Sequence, residues 1–453
     1  MTAPLTRAAG DFAAGIATAA IPAAALSTAR LGFTDAIACL LAGRDEPVSV
    51  ILRDYVAGRS DGKGSVCLLG RGRAAPELAA LIDATAAHAL DYDDYMFSNH
   101  PSAVLVAAIL ACAQVSGADG ARMARAYLAG YEIWGDLMLR EADHFHSKGW
   151  HPTAVLGPVG AAAAAAHVLG LDGAGAGHAI ALSASHSGGV MGNFGSMAKP
   201  YHAGRAAEAG VRAALLARAG FTARGDVLEG PAGLLAALSP RGNVDLKTPP
   251  QFGRRWRSAE AGLNIKKYPT VGASQRIIDA ALALMAQTPL DTADIAGMEI
   301  RISRKFAAVM PFGDPAIPAE AKFSAQFAVA AALRFGKVGM AEVSQAALGD
   351  GELRRLIGAA AIERGEIYDP GYPNAAPEDW IVLTMRDGSR IESPRIRRAS
   401  GHADAPLSPD ELWRKFAGCA EWSGLAEHRA RILFERLQSI DTLPDAGSLF
   451  QDE

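Results

Sequence analysis

Three long alanine-rich segments of this 453-residue chain begin at a proline that follows a basic residue, and each runs on to a glycine. The pairs are His100-Pro101, His151-Pro152 and Lys199-Pro200. Proline is tolerated in the first turn of a helix and pushes the preceding residue out of helical geometry, while glycine commonly follows the last turn. We therefore expect three helices, each with a basic residue at its N-cap. Since helix N-termini attract anions, three such ends brought together predict a site for a carboxylate or phosphate.

The spacing of apolar residues changes along the chain. As far as about residue 260, apolar residues recur three and four positions apart between Gly and Pro turns, as in Leu26–Gly43 and Ala75–Asp91. Apolar and polar residues alternate instead in the stretches 298–303 and 380–385, and the second stretch leads through Asp387-Gly388 into 389–392. The first pattern predicts helices, and the second predicts strands with a hairpin turn.

These patterns predict a mostly α fold with a smaller α+β part. We expect a large all-helical domain over residues 1–265 and an α+β lid domain over 266–400, with helices at 322–335 and 340–347. The segment 401–453 is helical again from Pro409 to Gln438, and we expect it to return to the helical domain.

Composition and missing motifs exclude several classes of function. The 44 basic residues nearly balance 48 acidic ones, and no basic patch predicts nucleic-acid binding. The four cysteines are scattered without metal-ligand spacing, so we expect reduced core cysteines and no metal. No H-E-x-x-H or dinucleotide motif occurs. We expect a cytoplasmic protein with no membrane segment and no cofactor, which leaves proton chemistry.

Polar residues cluster in two places. In His88-Ala-Leu-Asp91-Tyr-Asp-Asp-Tyr95, a continuous helix would bring His88, Asp91 and Tyr95 to one face as an acid/base group. The glycine-rich stretch 188–199 leads to Lys199, where a helix N-terminus is expected to lower the lysine pKa towards a value useful for proton transfer. Lys266, at the junction of the two domains, is expected to reach a ligand in the cleft.

Several motifs together resemble the MmgE/PrpD family, which contains 2-methylcitrate dehydratase, cis-aconitate decarboxylase and iminodisuccinate epimerase. In chain order they are Gly70-Arg-Gly-Arg73, His88-Ala-Leu-Asp91-Tyr-Asp-Asp94, His100-Pro-Ser, Gly149-Trp-His151-Pro-Thr153, Gly195-Ser-Met-Ala-Lys199, His202-Ala-Gly-Arg205, Lys266-Lys-Tyr-Pro269 and Ala321-Lys-Phe-Ser324. The resemblance runs from about residue 10 to 435. It implies a cofactor-free site in a cleft between a helical domain and a lid, and a homodimer.

The resemblance also implies which residues act. The family's site positions fall on Asp91, His100, His151, Lys199 and Lys266. The same motifs make Ser196, His202, Arg205 and Tyr268 candidates for substrate binding, and Tyr95, directly after the double aspartate, is a further candidate. His151, Lys199 and Lys266 are expected to bind and polarise carboxylates, while His100 and Lys199 are candidates for the base and the acid. Asp91 is expected to orient a base.

Two departures from the family pattern bear on the substrate. Tyr95 stands where the dehydratases and the decarboxylase commonly have threonine, and Thr270–Ala273 replaces a stretch that often carries cysteine, arginine or histidine. The loss of polar groups there favours a dicarboxylate or a differently substituted acid over a tricarboxylate such as 2-methylcitrate.

Four functions follow from the sequence. The leading hypothesis is a cofactor-independent hydro-lyase acting on a small hydroxy di- or tricarboxylic acid by proton abstraction next to a carboxylate. An epimerase of a dicarboxylate and a decarboxylase of an unsaturated polycarboxylate are the alternatives. A non-catalytic carboxylate-binding protein is the weakest, because a binder gains nothing from several titratable groups around its ligand.

Overall fold

The computed structural model describes residues 4–59, 65–67, 72–239, 241–372 and 374–449. The chain folds into two units, each with its own apolar interior. The first unit comprises Met1–Asn193, Ala198–Leu263 and Pro409–Glu453, and the second comprises Phe194–Met197 and Asn264–Ser408. The boundaries predicted from the sequence lie at 265/266 and 400/401. They place Phe194–Met197 in the helical domain, whereas the structure assigns this short segment to the second unit.

In its described residues, the first unit is helical apart from two short strands. Its helices are α1 Leu5–Gly15, α2 Ala23–Gly43, α3 Pro47–Ala57, α4 Pro76–His88, α5 Pro101–Ser116, α6 Gly120–Leu139, α7 Pro152–Val168, α8 Gly173–Ala184, α9 Ala198–Arg218, α10 Leu234–Leu238 and α11 Arg257–Ala261, joined after the second unit by α18 Pro409–Trp422 and α19 Glu427–Gln438. The strands β1 Ser65–Cys67 and β2 Gly72–Ala74 pair antiparallel. Gly70 and Arg71, which carry part of one family motif, lie outside the described residues.

The second unit is built around a mixed sheet. Its elements are α12 Gln275–Gln287, β3 Ile295–Ser303, α13 Arg304–Ala308, α14 Pro318–Ala321, α15 Ala325–Phe335, α16 Gln345–Leu348, α17 Gly351–Gly358, β4 Ala360–Gly365, β5 Trp380–Met385 and β6 Arg390–Glu392. The strand order is β4-β3-β5-β6; β3 is parallel to β4 and antiparallel to β5, and β5 is antiparallel to β6. The helices α12 and α15 pack against the sheet and share its apolar core.

The predicted fold class is therefore confirmed, and so are the strands at 298–303 and 380–385 and the hairpin turn, where Gly388 has a φ of 85°. The helix predicted at 340–347 is wrong in extent, because α16 begins only at Gln345. The strand β4 was not predicted, since its sequence AAIERG gives too weak an apolar alternation.

The centre of the first unit is α7, every residue of which is buried. Small and apolar residues, mostly alanine, glycine and valine, make up nearly all of its sequence, so it presents an apolar surface on all sides, as expected of a fully enclosed helix. It packs against α5, α6, α8 and α9. The small side chains let the neighbours approach closely: a Cβ on Gly210 of α9 would lie 2.4 Å from the Ala161 Cβ and 2.6 Å from the Ala162 nitrogen.

One helix in the described part of the chain, α2, is long and apolar enough to cross a membrane by length and composition. Most of it is buried inside the first unit, however, and it carries the buried residue Asp35. Its packing against α4, α5 and α18 accounts for the apolar surface.

The packing of α7 against α9 generates a stability prediction. Gly210→Ala places a methyl group against the α7 backbone and should lower the free energy of unfolding by about 1–3 kcal/mol. Gly177→Ala on α8, where an added Cβ meets nothing within 4 Å, should raise it by about 0.5–1 kcal/mol through helix propensity. Urea unfolding measures both; changes of the same sign and size would contradict the packing described.

Candidate active site

The candidate site lies in the first unit, where four chain segments meet. His88 is the last residue of α4, and the turn after it carries Asp91 and Asp93. His100 and His151 are the N-caps of α5 and α7, each directly before a proline, as predicted. The ring centroids of His88 and His100 lie 4.3 Å apart, and those of His88 and His151 lie 6.0 Å apart.

Two predictions about local structure need correction. Lys199 lies in the first turn of α9, which begins at Ala198, and not at its N-cap. His88, Asp91 and Tyr95 do not share a helix face, because α4 ends at His88. Asp91 instead adopts the left-handed conformation with a φ of 51°, which aspartate tolerates better than most residues. This turn brings the Asp91 carboxylate back towards α9.

Lys199 is the centre of the cluster. Its Nζ donates to Asp91 Oδ1 at 2.6 Å and to His88 Nε2 at 2.7 Å, and the side chain is almost fully buried. A carboxylate at hydrogen-bond distance favours the ammonium form of a lysine. The ion pair with Asp91 acts against the expected lowering of the lysine pKa by the helix N-terminus, which stays a prediction.

The protonation of His88 follows from its other neighbour. His88 Nδ1 lies 2.8 Å from Asp93 Oδ1, and a carboxylate accepts hydrogen bonds, so the ring proton is assigned to Nδ1. The lone pair of Nε2 then faces the Lys199 ammonium. Burial, only partly opposed by Asp93, lowers the pKa of His88 to about 3, so this imidazole is neutral at pH 7.

Asp93 holds a second imidazole as well. His100 Nδ1 lies 3.2 Å from Asp93 Oδ2 and 2.9 Å from the Asp94 carbonyl oxygen, which assigns the His100 proton to Nδ1 also. Burial alone would raise the pKa of Asp93, but His88 and His100 hold it well below its ordinary value. His100 Nε2, which points towards Asp91 Oδ1 at 3.9 Å, is then the ring nitrogen able to take a proton.

A second histidine pair borders this cluster. His151 Nδ1 and His202 Nδ1 lie 3.1 Å apart, so one ring donates and the other accepts. Burial and the charge of Lys199 lower the pKa of His151 well below its ordinary value and that of His202 to about 4. Both rings are neutral at pH 7, so the pair brings no positive charge. The ring that accepts at Nδ1 carries its N–H on Nε2 and can donate it to a substrate carboxylate.

The structure thus brings together five predicted site residues, namely Asp91, His100, His151, Lys199 and His202. Tyr95 is buried in the same loop. Arg205 forms an ion pair with Glu208 on its own helix.

Three further predicted site residues, Ser196, Lys266 and Tyr268, belong to the second unit. Ser196 is exposed and Lys266 is buried, while the Tyr268 hydroxyl donates to Asp279 Oδ1 at 2.6 Å. Their part in the site stays a prediction.

Sequence reasoning assigned no role to Asp93 and left His88 out of the final site. Both lie in the acidic motif after α4, and the position of the second aspartate five residues after His88 was the available signal. Because the sequence from His88 to Tyr95 was interpreted as one helix, the contact between the Asp93 carboxylate and the His88 ring was not predicted.

The cluster also has the spacing of a metal site. The donor atoms of His88, Asp91, Asp93 and His100 lie within 4.8 Å of one another, and so do those of His88, His100 and His151. The Lys199 ammonium already contacts two of these donors, so a metal ion bound by them would compete with it. The expectation of a metal-free site stays a prediction.

The buried neutral histidines predict how stability depends on pH. An unfolded histidine has a pKa of about 6.5, whereas that of folded His88 is about 3. The unfolded chain binds more protons between these values, so the free energy of unfolding is highest above about pH 6.5 and falls as the pH falls towards 3. His88→Gln should make this fall shallower, measured as urea midpoints from about pH 7.5 to 5.

His428→Gln, at an exposed position on α19, is the matched control and should keep the wild-type slope. Equal slopes in the His88 variant and the wild type would contradict the neutral, buried state assigned to this ring.

Comparison with known proteins agrees with this arrangement of a helical unit and a second α+β unit. The MmgE/PrpD N-terminal domain matches residues 7–247, and the MmgE/PrpD C-terminal domain matches residues 268–439. Human cis-aconitate decarboxylase is 28% identical over 83% of this chain and 79% of its own length, and the mouse protein is 29% identical over 83% and 78%. A cis-aconitate decarboxylase-like protein of Aspergillus oryzae is 27% identical over 95% of this chain and 93% of its own. The chain belongs to the MmgE/PrpD family.

Proposed function

We propose that this chain is a cofactor-independent lyase that acts on a small polycarboxylate, with decarboxylation of cis-aconitate as the reaction to test first. The observation that carries the proposal is the Lys199 ammonium, held at hydrogen-bond distance by Asp91 and by the Nε2 lone pair of a neutral His88. The ammonium is a buried proton donor, and the His88 Nε2 and Asp91 carboxylate beside it are hydrogen-bond acceptors. The similarity to cis-aconitate decarboxylases supports the choice of substrate.

The chemistry of such a substrate requires one proton at a defined carbon. When the carboxylate on the methylene carbon of cis-aconitate leaves as CO₂, its bonding electron pair is delocalised over the adjacent C=C bond towards the next carboxylate. A proton added at the far carbon of this allylic system completes the reaction, and one proton is consumed for each CO₂ released. Cationic and hydrogen-bonding groups that stabilise the developing negative charge lower the barrier.

The described residues can meet these needs. Lys199 can deliver its proton to the carbanion, and the neutral amine would remain held by Asp91 and His88. Of the neutral pair His151 and His202, the ring that accepts at Nδ1 carries its N–H on Nε2, and this N–H is available to a substrate carboxylate. We propose that Lys266, from the second unit, contributes a further positive charge.

A second reaction, dehydration of a hydroxy polycarboxylate, has an observation of its own. Elimination of water needs two proton transfers: a base takes the proton next to the carboxylate, and an acid protonates the leaving hydroxyl. The site holds two groups suited to these roles, since His100 Nε2 can accept a proton and Lys199 can donate one. Decarboxylation alone leaves His100 without a proton-transfer role.

One experiment separates these reactions. The protein is incubated in D₂O with cis-aconitate, with hydroxy tricarboxylates including 2-methylcitrate, and with amino and imino dicarboxylates, and the reaction is followed by NMR. We expect CO₂ release from cis-aconitate with one deuterium incorporated. Elimination of water, or inversion at a carbon next to a carboxylate, would instead identify a dehydratase or an epimerase. Turnover that is lost on chelation and restored by one specific metal would contradict the cofactor-independent reaction.

Lys199 supplies the sharpest mutational test of the proton-transfer role. Lys199→Ala should lower kcat by about 10²- to 10⁴-fold, the usual contribution of a positioned acid or base. Lys199→Arg should rescue little, because arginine keeps the charge but does not release its proton near neutral pH. Steady-state kinetics of both variants, with folding checked by circular dichroism, makes the measurement.

Lys247→Ala, at an exposed position of the first unit, is the control and should behave as wild type. Wild-type kcat in Lys199→Arg would show that Lys199 supplies charge alone, and the proton donor would then be sought at His100.

A further inference from the structure

A buried lysine from the end of the chain contacts the loop that carries the site carboxylates. Lys415 lies on α18, and its side chain is only 3% exposed. Its Nζ donates to Asp35 Oδ1 on α2 at 2.5 Å and to the carbonyl oxygen of Tyr92 at 2.8 Å. The ammonium also lies 4.2 Å from the centroid of the Tyr92 ring.

Asp35 completes the contact from the other side. Its Oδ2 accepts the backbone N–H of Asp94 at 2.8 Å, while its Oδ1 holds Lys415. The carbonyl of Tyr92 and the N–H of Asp94 belong to the residues on either side of Asp93. The buried pair therefore fixes the backbone immediately before and immediately after Asp93.

Asp93 is the residue whose position matters most for the histidines. Its two carboxylate oxygens hold Nδ1 of His88 and of His100. A hydrogen bond at Nδ1 sets which ring nitrogen faces the reaction, so a shift of Asp93 would change the atoms that His88 and His100 offer at Nε2. Positional errors of about 1 Å in such groups can cost about 10²-fold in rate.

We propose that Lys415 and Asp35 are positioning residues of the active site, which hold Asp93 so that His88 and His100 carry their protons on Nδ1. The pair does not reach the substrate in this role; it acts through the loop backbone. The kinetic part of the test rests on the proposed function, whereas the spectroscopic part does not.

The choice of variants follows from the energetics of a buried ion pair. Lys415→Met alone leaves the Asp35 carboxylate buried without its counter-charge, a change that commonly destabilises a fold strongly. The double variant Lys415→Met/Asp35→Asn removes both charges, keeps the volumes similar and retains an amide oxygen able to accept the Asp94 N–H. Replacing both charges of a buried pair is often neutral for stability, so this variant is the one to test.

The control removes a different link between α2 and the C-terminal segment. Arg30 on α2 binds Asp441 through Nε at 2.7 Å and through a second guanidinium nitrogen at 2.9 Å. Among the described residues, neither side chain makes a hydrogen bond or ion pair with the loop that carries Asp93. Arg30→Met therefore reports the general effect of loosening the C-terminal segment. It should leave kcat and the His88 resonances as in wild type.

The first readout is the ¹⁵N NMR spectrum of histidine-labelled protein, with His88 assigned by loss of its signals in His88→Gln. In wild type we expect Nδ1 of His88 protonated and Nε2 unprotonated. In the double variant we expect a mixture of tautomers or faster exchange of the Nδ1 proton. Signals identical to wild type would overturn the proposal, whether or not the protein turns over any of the carboxylic acids tested.

The second readout is kinetic. The double variant should lower kcat by about 10²-fold with little change in KM, because positioning of proton-transfer groups is lost and substrate binding is not. In an Asp93→Asn background the same double change should cost less than about threefold, since residues that act through one another are not additive. Equal losses in both backgrounds would mean that the pair acts independently of Asp93.

The two failures can be told apart. A wild-type protein inactive on every acid tested would overturn the proposed function, while the histidine spectrum would still decide the positioning role. An active protein whose double variant matches Arg30→Met in kcat and in its His88 signals would overturn the positioning role alone.

Discussion

The candidate site depends on a short chain of alternating donors and acceptors inside the helical unit. It runs from the Asp93 carboxylate through His88 to the Lys199 ammonium and on to Asp91. Each hydrogen bond in this chain forms only if both of its partners are in the appropriate protonation state. An ionised Asp93 fixes the proton of His88 on Nδ1, the lone pair on Nε2 receives Lys199, and Asp91 balances the lysine's charge. In a low-dielectric interior such bonds strengthen one another, and an unpaired member would be costly.

The packing of the helical unit makes this chain possible. The residues come from α4, the loop after it and α9, while His100 and His151 come from the starts of α5 and α7. These helices meet because α7 is lined by alanine and glycine, and because Gly210 lets α9 lie directly against it. Large apolar side chains at these contacts would have kept the helix ends apart. The alanine content of the sequence is therefore a condition for the site as well as for the core.

Much of the fold and part of the site could be predicted from the sequence, for identifiable reasons. Proline placed His100 and His151 at helix N-caps, and alternation marked β3 and β5, because both signals are local. The strand β4 could not be predicted from its own composition, because it forms by pairing with β3, which lies far from it in the sequence. The role of Asp93 was missed for a related reason: the turn at Asp91 adopts a left-handed conformation that helical periodicity does not encode.

The contact between Lys415 and the loop also determines at which point of chain synthesis the candidate site can be completed. The helical unit is interrupted in sequence by the whole second unit, and α18 follows it. A chain emerging from the ribosome therefore presents Asp35 and the acidic loop long before the lysine that balances them has been synthesised. Until then no Lys415 ammonium is present to balance Asp35 or to hold the Tyr92 carbonyl. Completion of the candidate site is thereby deferred until the second unit has been made.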